Sequence, residues 1–193
     1  MLRTFHLLFF AIATAIVVQS LAFSSRASQS ASGPTALDLI YRQKYDDAIT
    51  RLEEILESDP HNAEALTYMA TANLYQTLNI DQAQKQFEEA FKAGGGATFF
   101  VTHSHEMFTT GADVDYCRGW LHLRRGTVEF VPLQGSHGFK LKYSEIEELK
   151  RNKVSKKAFH IKAGKETFNF RGRTNSDDEA LLIVALYNSF TRN

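Results

Sequence analysis

Lys92-Ala93-Gly94-Gly95-Gly96-Ala97-Thr98-Phe99-Phe100-Val101 is the stretch where this chain changes its periodicity. Upstream of the three glycines, apolar residues recur at helical spacing: Ile40, Leu52, Ile55 and Leu56 are expected to face inward, with Glu53, Glu54 and Glu57 in water. Downstream, they alternate. Cys117, Gly119, Leu121 and Leu123 share one face of a strand, as do Phe139, Leu141 and Tyr143, Phe159 and Ile161, and Phe168 and Phe170. The expected fold class is therefore α+β in two modules: two α-hairpins over residues 36–94, then a seven-stranded antiparallel β-barrel or sandwich capped by a C-terminal helix over residues 97–193.

Within the helical half, Ala36–Asn62 aligns with Ala70–Gly96. The small residues Ala36 and Ala70, the small residues Ala48 and Ala83, and the bulky Leu52 and Phe87 correspond. Small residues let antiparallel helices approach, and large ones fill the space between neighbouring hairpins. Asp59-Pro60 stops one helix and Asn62 caps the next. This pattern resembles the tetratricopeptide repeat, although the second hairpin ends in glycines where the family has proline. The resemblance implies a concave groove lined by the first helix of each hairpin, here by Thr67, Thr71, Leu74 and Tyr75. A protein segment bound there would be blocked by arginines at Thr67 and Thr71 without unfolding the chain. Two hairpins are fewer than the roughly three a solenoid needs. The second module, a second copy of the chain or a partner must cover the open end.

The sheet half divides into strands over Thr98–Thr109, Tyr116–Arg125, Thr127–Leu133, Gly138–Tyr143, Ile146–Arg151, Ala158–Lys162 and Thr167–Arg171, with turns at Arg125-Gly126 and Ala163-Gly164-Lys165. Ser176-Asp177-Asp178-Glu179 reads as a capping box. The helix it starts, Leu181 to Tyr187, is too apolar to lie free on a surface. Strands followed by a closing helix, together with Gly119-Trp120-Leu121-His122-Leu123, Gly126-Thr127-Val128-Glu129-Phe130 and Phe168-Asn169-Phe170, are similar to the pleckstrin-homology superfold and its GRAM-like members. Such a fold does not by itself name a function.

The 22 basic and 22 acidic side chains cancel, which removes the net charge expected of a nucleic-acid binder. Residues 36–96 hold 11 acids against 5 bases, and residues 97–193 hold 15 bases against 11 acids. Arg3, the apolar run Leu7 to Val18 and Ser20-Leu21-Ala22 have the layout of a secretory signal peptide over residues 1–23, with an uncleaved anchor as the alternative, and residues 24–35 read as a linker. The expected address is the periplasm or cell envelope, or secretion. Cys117 is the single cysteine, so no internal disulfide forms.

Three features carry chemistry. His103-Ser104-His105 places two imidazoles on one side of a strand, where Asp113, Asp115 or Cys117 could complete a metal site for a hydrolase. Lys150, Arg151, Lys153, Lys156 and Lys157 form a basic run, which fits anionic lipid headgroups or a docking contact. No phosphate loop, nucleophile elbow or zinc helix is present in the sequence. The reading that results is an exported, non-enzymatic adaptor without cofactor or metal. It binds a protein partner through the helical groove and the barrel surface, and membrane association is the alternative.

Overall fold

The computed structural model describes residues 33–104, 116–135 and 137–192. The leader, most of the linker, His105, Asp113 and Asp115 lie outside the described residues. Residues 34–193 form one compact unit.

Four helices come first: α1 (Ala36–Tyr41), α2 (Tyr45–Ser58), α3 (Ala63–Thr77) and α4 (Ile80–Lys92). Side chains cap the starts of α1, α3 and α4. Thr35 accepts from Asp38 N, and its own backbone N–H is taken by the Asp38 carboxylate; Asn62 and Asn79 cap α3 and α4. Ala36, Ala48, Ala70, Ala83, Leu52 and Phe87 are all buried. Ile55 is the exception: expected inside, it is exposed, because α2 is the outermost helix and turns that edge to water.

Seven strands follow: β1 (Gly96–Ser104), β2 (Tyr116–Arg124), β3 (Thr127–Pro132), β4 (Phe139–Lys142), β5 (Glu148–Arg151), β6 (Ala158–Ala163) and β7 (Glu166–Gly172). β5 starts later than its alternation suggests, because Tyr143–Glu145 forms a single 3₁₀ turn. The sheet order is β4-β3-β2-β1-β7-β6-β5, with antiparallel neighbours throughout. No pairing joins β4 to β5 among the described residues, yet the sheet folds over itself. Phe139 of β4 meets Phe168 of β7 with ring centroids 4.3 Å apart. The helix α5 (Asp177–Phe190) then buries Leu182, Ile183 and Leu186, and Phe190 stacks on Phe91 of α4 at 3.9 Å.

The two expected modules share a single core. Leu74, Phe87, Phe99, Leu121, Phe170 and Leu186 belong to one buried cluster that runs through helices and sheet. The physical reason lies at the three glycines. Gly94 adopts φ +97°, which favours glycine; a Cβ on Gly95 would overlap the Ala63 carbonyl, and one on Gly96 the Leu123 carbonyl. The chain therefore turns straight from α4 into β1, against both α3 and β2.

Candidate functional site

The four residues expected to line an open groove are buried, and β1 lies across them. β7 pairs with β1 only from Val101 onward, which leaves the edge of Gly96–Phe100 without a strand. Unpaired buried backbone groups are costly. Side chains of α3 take the place of the missing strand: Gly96 N donates to Thr67 Oγ1 (3.0 Å), the Thr71 hydroxyl donates to Thr98 O (2.9 Å), and Phe100 N donates to the Tyr75 hydroxyl (2.8 Å). The match is geometric. Four helical residues advance about 6 Å and two strand residues about 6.7 Å, so hydroxyls at i, i+4 and i+8 meet alternate strand positions. The groove assignment is thus corrected: an extended segment does lie along these residues, but it is the chain's own β1. His122 completes this buried polar layer, 2.9 Å from the Thr98 hydroxyl. Burial, helped by the nearby Arg124, lowers its pKa from 6.5 to about 4.

Tyr75 also reaches α5. Its hydroxyl donates to Glu179 Oε1 (3.1 Å), which also accepts from Arg173 N (3.2 Å); Glu179 Oε2 accepts from Thr174 N (2.8 Å) and Thr174 Oγ1 (2.6 Å). Burial pushes the Glu179 carboxyl above its ordinary range, and the bonds from Thr174 lead those that draw it back. The expected capping box is half present: Ser176 accepts from Glu179 N, while the Glu179 carboxylate turns to Arg173 and Thr174. Gly172 is required here, since a Cβ would overlap that carboxylate. Arg173 donates to the Ile40 and Tyr41 carbonyls at the end of α1, with its guanidinium 5.5 Å from the Tyr75 ring centroid. This network ties α1, α3, β1 and α5 together. With every carboxylate oxygen bonded and the residue buried, it is a structural tie and offers no access to substrate.

The helix layer covers only part of the outer sheet face. By strand register Phe100, Thr102 and Ser104, then Trp120, Arg118 and Tyr116, then Val131 and Leu133 share that face. Tyr41 packs on Phe100 (5.3 Å) and Phe100 on Trp120 (5.2 Å), and there the cover from the described residues stops. Tyr41, Tyr116, Val131 and Leu133 are left exposed, four of the eight large apolar side chains so placed among the described residues. Beside them opens a cleft of about 530 Å³ lined by Tyr41, Tyr116, Cys117, Arg118, Leu133 and His137.

Cys117 is half-buried, with Sγ 3.6 Å from His103 Nδ1 directly across the strand pair, a proximity the sequence spacing conceals. The His103 ring is buried against Phe130, Phe168 and Phe170. Three phenyl rings are a poor setting for the imidazolium–thiolate pair a nucleophilic cysteine requires. Among the described residues no group of three potential ligands could hold a metal ion. His103 belongs to the barrel interior, and its partner in the proposed metal pair lies outside the described residues.

The basic run occupies the β5–β6 hairpin. Lys150 is paired with Glu148, which also bonds His160 Nε2 (2.7 Å). These two contacts, Lys150 first, hold the Glu148 carboxyl below its ordinary range. Lys153, Lys156 and Lys157 are exposed and Arg151 is half-buried.

No protein-family model matches the chain, and no curated protein is similar to it. Among solved structures, it is similar to the N-terminal PH domain of human ARAP2, with 9% identity over 49% of this chain and 77% of that one and a TM-score of 0.38. It is likewise similar to the C-terminal domain of an unknown protein from Leishmania infantum, with 14% identity over 47% and 81% and a TM-score of 0.35.

Proposed function

We propose that this protein is an exported, non-enzymatic adaptor that holds a protein partner on the uncovered sheet face beside the end of α1. One observation carries the reading: Tyr41, Tyr116, Val131 and Leu133 are exposed together around Arg118 at an open cleft. Tyr and Arg are the side chains that dominate binding energy at interfaces, and a cluster of exposed apolar residues is the usual mark of one. The face is presented on strands, so little ordering is required when a partner binds.

In this reading the four helices are two tetratricopeptide-like hairpins whose groove is filled from within by β1, and the sheet with α5 is a pleckstrin-homology-like barrel. The support is the burial of the repeat positions Ala36, Ala70, Ala48, Ala83, Leu52 and Phe87, and the strand order with its closing helix. Export rests on Arg3 and the apolar run Leu7 to Val18.

A photocrosslinking amino acid at Leu133, used in the native compartment, tests the assignment. It is expected to capture one protein, and Tyr116→Ala with Arg118→Ala to abolish that capture. Capture of the same protein from a probe at Glu53, or none from Leu133, overturns it.

A further inference from the structure

The tip of the β5–β6 hairpin brings a fully exposed apolar side chain together with positive charge that is unpaired among the described residues. Val154 is 101% exposed, more than any other large apolar side chain among the described residues. It stands between Lys153 and the pair Lys156 and Lys157, all exposed. No Asp or Glu occurs from Leu149 to Lys165, and the carboxylates just before this stretch are already engaged: Glu147 pairs with Lys162 at 2.6 Å, and Glu148 with Lys150 and His160. Lys153, Lys156 and Lys157 have no acidic partner among the described residues, so their charge faces outward.

The hairpin is also held in shape. Asn152 N donates to Ala158 O, and Ala158 N to Ser155 O. Asn152 Oδ1 lies 2.6 Å from His160 Nδ1, and the opposite ring nitrogen is held by Glu148. The valine is therefore presented on a braced loop, with exposed lysines on either side in sequence.

We propose that this tip docks on an anionic bilayer surface, with Val154 entering the headgroup–acyl boundary while Lys153, Lys156 and Lys157 meet the headgroup charge. An acidic protein surface would satisfy the lysines and leave the valine in water. A bilayer interface offers apolar and anionic matter close together, so it can take both the exposed valine and the lysines beside it. The contact reads charge and depth, and no one headgroup. It uses none of the residues of the sheet face assigned to a protein partner.

The full chain carrying Cys117→Ser and Val154→Cys, labelled at position 154 with an environment-sensitive fluorophore, tests this directly, because the probe reports the tip whatever the N-terminal segment does. Vesicles containing 30% phosphatidylserine are expected to shift the emission to the blue and raise it. Phosphatidylcholine vesicles, or the same probe introduced by Lys165→Cys at the β6–β7 turn, should give little change. Replacing Lys153, Lys156 and Lys157 by Gln should weaken partitioning about a hundredfold, roughly fivefold for each charge lost near the surface. An unchanged probe at 154 when the chain sediments with phosphatidylserine vesicles, or an equal response at 165 or in phosphatidylcholine, overturns the proposal. A response to inositol hexaphosphate without one to vesicles assigns the lysines to a soluble anion and overturns it as well.

Discussion

The two halves of β1 meet the same requirement by different means. Val101–Ser104 is paired on both edges, by β2 and β7, as a central strand ordinarily is. Gly96–Phe100 has β2 on one edge only, and on the other the hydroxyls of Thr67, Thr71 and Tyr75 stand in for a strand. In the first half the burial of side chains is largely a matter of shape. In the second, each hydroxyl bonds a backbone group that no strand pairs on that edge, and losing it leaves that group without its partner. The comparison teaches that the helical hairpins are an integral part of the sheet, and their polar stripe is committed to the fold.

The comparison breaks most completely if arginine replaces both Thr67 and Thr71. Thr71 is fully buried against Thr98, so an arginine there buries an unpaired cation, and both substitutions remove a hydroxyl that holds β1. The double variant is expected to show no cooperative melting by circular dichroism. A soluble variant melting within a few degrees of the parent would return these residues to an open groove.

Acid should strike the helix-covered half next. Unfolded, His122 takes up its proton near the ordinary 6.5; folded, not until about 4. Falling pH through that window favours the unfolded chain, so stability present above 6.5 drains away toward 4, by of order 3 kcal/mol for a site this well buried. Denaturant titrations at several pH values should show this slope, and His122→Gln should flatten it. An identical slope in the variant would mean that other groups carry the acid response.

Single hydroxyl deletions sharpen the contrast. Thr71→Val and Tyr75→Phe should each cost about 1–3 kcal/mol, since Thr98 O and Phe100 N lose their partners. Thr102→Val, in the half that β7 covers, should stay within about 0.5 kcal/mol of the parent. Equal costs at Thr71 and Thr102 would remove the distinction between the halves.

Much of this was legible in the chain. Alternation placed the strands, Asn62 and Ser176 marked the starts of α3 and α5, and helical spacing placed helices ahead of the glycines. The stripe of Thr67, Thr71 and Tyr75 at four-residue spacing was visible as a pattern but not in meaning, because what it faces lies on another element. The same is true of Glu179, legible as a capping residue and found holding Tyr75, Arg173 and Thr174. Cys117 and His103, distant in sequence, become neighbours only through strand register.

Local sequence thus determined the kinds of element, their order and the turn at Gly94–Gly96, since periodicity, caps and positive φ act over a few residues. Tertiary structure alone decided that β1 lies along Thr67, Thr71 and Tyr75, that α2 exposes Ile55, that Tyr41, Tyr116, Val131 and Leu133 are exposed near Arg118, and that Val154 is exposed beside its lysines. These outcomes depend on which surfaces from distant parts of the chain compete for the same space, and no local pattern encodes the winner.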